Sequence, residues 1–122
     1  MDHLFKTLGD LNRLRIVNLL RHKKLCVCEI EVILNTTQSN VSRHLSRLRT
    51  EKIISFEKHA QWIYYSIDQN FLDVNGLLYQ YLEHRMNLEP IYREDLKRLQ
   101  DYVRSGESCE TLKNNEKAAS IS

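Results

Sequence analysis

Residues 53–67 break the pattern of the rest of the chain, and that interruption limits the folds available. Ile53-Ile54-Ser55-Phe56-Glu57-Lys58 and Trp62-Ile63-Tyr64-Tyr65-Ser66-Ile67 are enriched in β-branched and aromatic residues and alternate apolar with polar positions. The link His59-Ala60-Gln61 is short enough for a hairpin. On both sides the apolar residues return at helical spacing. Leu4, Phe5 and Leu8 make a first short helix with Gly9 as its stop. Asp10 is placed to cap a second, carrying Leu11, Leu14, Val17 and Leu20, widened by Ile16 and Leu19 and ending near His22 to Lys24. Helical patterning resumes from about Phe71 to Met86, and Ile91, Leu96, Leu99 and Val103 mark a last helix beyond Pro90. The prediction is a mainly α fold with one small β-hairpin. At 122 residues the chain suits one domain, and 3 Gly with 1 Pro leave little material for long loops.

Just before the hairpin lie two helices of unequal character. Val27, Ile30, Ile33 and Leu34 put apolar groups on one side of a short helix. Asn35-Thr36-Thr37 then form a polar break, and Thr37 is a candidate cap for a helix over Gln38–Glu51. That helix turns Val41, Leu45 and Leu48 inward and projects Arg43, His44, Arg47 and Arg49 elsewhere. A short helix, a three-residue turn and a second helix with a polar start follow the helix-turn-helix plan. Gln38, Ser39, Asn40, Ser42, Arg43, His44 and Arg47 carry the amide, hydroxyl, guanidinium and imidazole groups that read base edges and anchor phosphates. The hairpin behind it has the place of a wing, with Lys58, His59 and Gln61 at its tip beside the DNA backbone and Trp62, Ile63 and Tyr65 tying it to the core. A charged, solvated face on an ordinary bundle helix is the competing account of the same residues.

A net charge of +2 decides nothing about nucleic acid, so the location of the charges has to carry that reading. The first ten residues lack the regions of a signal peptide, and no apolar run approaches the ~18 residues of a membrane span. The expected location is the cytoplasm. No glycine-rich phosphate loop, nucleophile elbow or H-E-x-x-H motif is present, and the chain reads as a non-enzyme. The Glu94/Asp95 and Lys97/Arg98 cluster reads as pairing on a solvated helix face.

Three cysteines are an odd number, which argues against a disulfide framework. Cys26-Val27-Cys28 offers two thiolates suited to a soft ion. On a regular helix, residues i and i+2 point about 200° apart. Both sulfurs therefore reach one ion only where the backbone is non-helical or distorts on binding. Lys23 and Lys24, together with a nearby helix start, favour the thiolate form. Two small buried residues are the plainer alternative.

Leu4-Phe5-Lys6 to Leu8, Asp10 to Arg13-Leu14-Arg15-Ile16, Leu25-Cys26-Val27-Cys28-Glu29-Ile30, Gln38-Ser39-Asn40-Val41-Ser42-Arg43-His44-Leu45 and Trp62-Ile63-Tyr64-Tyr65 together resemble the ArsR/SmtB metalloregulatory repressors over about residues 3–85. The resemblance implies a winged helix-turn-helix homodimer joined by its first and last helices. It further implies a palindromic double-stranded operator and release of that DNA on metal binding. Within the family the Cys-x-Cys box belongs to sensors of arsenite and of soft divalent ions such as cadmium and lead. The arsenite pattern often has a further cysteine where this chain has Glu31. Cys109 is the one remaining thiol, a candidate third ligand from its own chain or the partner subunit, or an inert tail residue. Other metal sites of the family look absent: Asp73-Val74-Asn75 has Asn where His is expected, His84 lacks a matching partner, and His3 stands alone near the start.

The sequence thus predicts a DNA-binding and dimerisation domain over residues 1–104 and a disordered tail over 105–122. Its function reads as a repressor released when Cys26, Cys28 and Cys109 bind arsenite or a related soft ion. A repressor with a thiol redox switch, and a protein-interaction module without DNA, are the competing readings.

Overall fold

Residues 1–113 are described by the computed structural model, in the order α1 (Asp2–Leu8), α2 (Leu11–Leu20), α3 (Val27–Leu34), α4 (Gln38–Thr50), β1 (Ile54–His59), β2 (Trp62–Ile67), α5 (Gln69–Val74), α6 (Gly76–Leu88) and α7 (Pro90–Ser105). Each boundary has a local cause. Asp10 starts α2 by accepting from the backbone N–H of Arg13 at 3.1 Å. Asn35 closes α3 in the left-handed region at φ 51°, a conformation Asn tolerates well. Pro90 opens α7 at its first turn, and Gly106, at φ 75°, ends it. Among the described residues, no helix is long and apolar enough to cross a membrane.

The hairpin is antiparallel, with Ile54 opposite Ile67 and His59 opposite Trp62, so Ala60 and Gln61 form the tip. Ala60 takes φ 56° and Lys52, just before the hairpin, φ 58°. A side chain with a Cβ costs about 1–2 kcal/mol there. The glycine-poor chain thus enters and reverses its wing without glycine. Leu25 forms a β-bridge with Tyr65, its N–H donating to the Tyr65 carbonyl at 3.2 Å and its carbonyl accepting from the Tyr65 N–H at 2.8 Å. The loop before α3 is thereby fastened to β2.

Ile16, Val17 and Leu19 of α2, Ile30 of α3, Val41, Leu45 and Leu48 of α4, and Ile53 meet in one buried cluster. α7 lies across α2 and α3. Its Asp95 is buried and accepts from Arg15 Nε at 2.7 Å and Nη2 at 2.9 Å. Asn18 Nδ2 donates to the Tyr92 carbonyl at 3.0 Å. Asp95 is therefore an anchor of α7 rather than a solvated surface acid, whereas Glu94 keeps the exposed i, i+4 pairing with Arg98 at 3.2 Å.

Two further expectations are corrected. The helix expected over Phe71–Met86 is two helices, because Asn75, at φ −115° and ψ 36°, ends α5 and begins α6. The first part of the tail expected over 105–122 is structured. Residues 109–113 form a helical turn, and Cys109 is fully buried by packing against Cys26, Cys28 and Leu112. The rest of the expected tail, 114–122, lies outside the described residues.

Candidate nucleic-acid interface and metal centre

Thr37 caps α4 by accepting from the Asn40 N–H at 3.2 Å, and Arg47 and Arg49 sit in its last turn. Val41, Leu45 and Leu48 hold the inner face. Gln38, Ser39, Asn40, Ser42 and Arg43 are exposed along the first two turns. Arg47 is exposed as well, with Nε donating to Thr7 Oγ1 at 3.3 Å. Arg49 stacks its guanidinium 4.1 Å from the centre of the Phe56 ring, joining α4 to β1.

His44 departs from the expected set. It is 4% exposed, its Nδ1 has no partner, and burial holds its pKa below the usual histidine value. Its position explains this. His44 follows Val41 by three residues and precedes Leu48 by four, so it belongs to the apolar stripe. It positions α4 against α2 and is removed from the set of exposed contacts.

At the wing, Lys58, His59 and Gln61 are all exposed. Glu57 beside them accepts from Lys24 Nζ at 2.6 Å and pairs with His59 Nε2 at 3.2 Å; these partners lower its pKa, Lys24 most. Ile63 points outward at 41% exposed, while Trp62 and Tyr64 pack against the cysteines. The tie between wing and core is therefore Tyr65, through Leu25, together with the inward pair Trp62 and Tyr64.

The cysteines converge. Cys26 is the N-cap of α3, with extended backbone at φ −94° and ψ 171°, and Cys28 lies in the first turn. This break in helical geometry is what lets residues i and i+2 bring their sulfurs to 3.3 Å. The expected alternative, distortion on binding, is not needed. Cys109 joins them although it is 83 residues from Cys26 in sequence. The three Sγ atoms all lie within 4.8 Å of one another. Cys26 and Cys109 lie within reach of a disulfide, their Cα atoms 6.7 Å apart, with Cys28 as the third thiol.

Glu29 completes the cluster. It is 3% exposed, and its Oε1 accepts from the Cys26 N–H at 3.1 Å, so thiol and carboxylate form a capping box. Its Oε2 accepts from the Tyr102 hydroxyl at 2.5 Å. Burial, then this hydrogen bond, raise the Tyr102 pKa far above the usual phenol range. Burial, and next to it Glu29, likewise raise the Cys28 thiol. The expectation that Lys23 and Lys24 favour thiolate is thus overturned: Lys24 is engaged by Glu57, and the buried acid works the other way. A soft ion with sulfur ligands at about 2.3 Å needs sulfurs about 3.8 Å apart. The donor set and its spacing fit such an ion once all three sulfurs are reduced.

Residues 10–55 match the family model described as "Bacterial regulatory protein, arsR family". The arsenical resistance operon repressor of Bacillus subtilis is 42% identical over 78 residues, which cover 63% of this chain and 72% of that protein. The chain belongs to the ArsR family.

This ArsR-family chain is also 31% identical over 101 residues to the transcriptional repressor SmtB homolog of Synechocystis, covering 83% of this chain. Against several relatives it spans only part of their length: 64% of that homolog and 57% of the arsenic resistance regulator ArsR2 of Pseudomonas putida. Among solved structures it resembles the transcriptional regulator HlyU of Vibrio vulnificus, with TM-score 0.54 and 30% identity over 65% of this chain and 83% of that one. It also resembles the transcriptional repressor BigR of Xylella fastidiosa, with TM-score 0.57 and 25% identity over 67% and 82%. The fold is a winged helix-turn-helix, in which α3 and α4 form the motif and β1–β2 the wing. The family match runs from the cap of α2 into β1 and ends well before α7 and Cys109.

The sequence reading did not single out Tyr102 or Leu112. Glu29 enters it only as a member of the Leu25–Ile30 run, without its burial. A sequence clue existed for Glu29, which stands three residues after the capping position just before an apolar run. Nothing local marked Tyr102, which reaches Glu29 from 73 residues away.

Proposed function

We propose that this ArsR-family chain is a homodimeric repressor whose operator binding is relieved when arsenite or another soft ion is captured by Cys26, Cys28 and Cys109. The observation that carries the reading is the meeting of three sulfurs at the first residue of the helix-turn-helix, against the wing. The exposed residues Gln38, Ser39, Asn40, Ser42 and Arg43 enter the major groove, with Arg47 close to the backbone. Lys58, His59 and Gln61 follow the phosphates. Exposed apolar residues on the first and last helices, Phe5 of α1 at 52% and Val103 of α7 at 47%, together with Leu77 of α6 at 85%, supply the surface for a second copy. The twofold axis then presents two α4 helices to half-sites about one DNA turn apart.

Held by Cys26, Cys28 and Cys109, the ion would cross-link the three sulfurs. Around it the chain's own residues carry the response. Cys26 caps α3, Leu25 is bridged to β2, and Trp62 and Tyr64 cover the sulfurs. A shift at the cluster is therefore passed to both the motif and the wing. Release requires tighter capture by the DNA-poor conformation. Gel-shift titration of the reduced protein with arsenite tests this. Cys26→Ser, Cys28→Ser and Cys109→Ser each keep operator affinity and lose release. Release that persists in the Cys26 and Cys28 variants rejects the site.

A second reading has its own observation, the Cys26–Cys109 pair. Here peroxide takes two electrons and two protons from these thiols, giving a disulfide and two waters, and DNA is released without metal. Metal-free peroxide treatment of the protein–DNA complex, followed by mass spectrometry of thiol state, separates the two.

A further inference from the structure

Glu29 is a buried carboxylate pressed against the sulfur cluster. Its Oε1 lies 3.4 Å from Cys26 Sγ, and its named partners are a backbone N–H, a thiol and a phenol, none of which brings positive charge. Among the described residues, Lys113 is a cation with electrostatic reach to Cys28, and it offsets part of the acid's field. The three cysteines are 0–8% exposed, so water screens little of any charge placed among their sulfurs.

The ions open to such a cluster differ in the charge they leave behind. Arsenous acid, As(OH)3, meets three thiols by breaking three As–O bonds and forming three As–S bonds. Three waters depart, arsenic stays trivalent, and the product is neutral. A divalent ion with the same three sulfurs sends three protons to solvent and leaves a complex of net charge −1. That charge is then buried beside a carboxylate.

We infer that Glu29 sets the charge class of the ligand, admitting the neutral trisulfide of trivalent arsenic and disfavouring divalent ions. The inference rests on the thiol-sensor reading and deepens it. Glu29 acts as a positioning and selectivity residue without being a ligand. It orients Cys26 through the capping box, and its charge is felt by whatever the sulfurs hold. At an effective dielectric constant of about 20, unit charges a few ångström apart change binding by about tenfold or more.

The test uses the reduced full chain, titrated separately with sodium arsenite and with Cd2+ and followed by thiolate-to-metal ultraviolet absorption. Glu29→Gln is isosteric and retains a capping-box residue type. It raises Cd2+ affinity about tenfold or more and moves arsenite affinity by less than about threefold. Glu29→Asp keeps the charge and keeps the wild-type ratio of the two affinities. Should the Gln variant not fold, Lys113→Glu is the independent handle, lowering Cd2+ affinity while leaving arsenite affinity in place. An unchanged ratio in Glu29→Gln, an equal shift in Glu29→Asp, or a Lys113→Glu effect common to both ions overturns the inference and leaves the sensor reading standing. Wild-type protein that absorbs with neither ion removes the sensor reading, and this inference with it.

Discussion

The two helices of the motif start in opposite ways. At α4, Thr37 caps in the open, and the amides and hydroxyls of Gln38, Ser39 and Asn40 face solvent. At α3, Cys26 caps in the dark, with Glu29 returning the bond and Tyr102 holding Glu29 from behind. One start keeps polar groups that a large ligand can satisfy. The other has sealed its polar groups on one another and admits only something small enough to sit among sulfurs. On the proposed function, the difference teaches that one motif can hold an outward reader and an inward sensor two turns of chain apart, provided that a common floor supports both.

That floor is where the contrast breaks most severely. Leu48 is fully buried beneath α4 in the core shared with Ile30 of α3. Leu48→Ala costs about 2–5 kcal/mol of unfolding free energy, read by urea denaturation, and weakens reader and sensor together. Asp95→Ala comes next, at about 3 kcal/mol, the low end for breaking a buried pair because Arg15 keeps 19% exposure. It loosens α7, the helix that leads into the turn holding Cys109. In the two-function reading, ion capture therefore suffers more than operator binding, and an equal loss in both would merge the two regions.

Arg43→Ala sharpens the contrast from the other side. Operator binding falls by about 1–3 kcal/mol in gel shifts, while thiolate-to-metal absorption stays at its wild-type strength. Thr37→Ala removes the exposed cap for about 1 kcal/mol, visible in thermal melts, with ion capture again unchanged.

The smallest effect is one of pH. His44 has a folded pKa below its unfolded value of 6.5, with burial as the main cause, and exposed His22 is shifted the same way. The unfolded chain therefore binds more protons below 6.5. The contribution is complete above that pH and is lost as pH falls through the lower folded value. Melts between pH 7.5 and about 5 show falling stability, and His44→Leu flattens part of that slope.

Much of the reader was legible in sequence because its signals are local. The Val41, Leu45, Leu48 row, the Thr37 cap and the alternation in β2 each lie within a few residues. His44 was misjudged because periodicity assigns a face by spacing, and a histidine on the edge of a stripe is buried or exposed according to what packs over it. The sensor was half legible. Cys26 and Cys28 announced themselves as a pair, and the non-helical geometry they require was deducible. Cys109 sits among small polar residues that read as a tail, and only α7, anchored through Arg15 to Asp95 80 residues away, returns it to the cluster. Burial of Glu29 and Asp95 likewise depends on partners that no local window contains.

In the proposed sensor, the return of Cys109 to its own chain also fixes a stoichiometry. There each protomer carries three converging sulfurs of its own, so an ion needs no ligand from the partner subunit. Such a dimer fills in two separate events, with a half-loaded species between them. Derepression then follows dose gradually unless the two operator half-sites themselves impose a threshold.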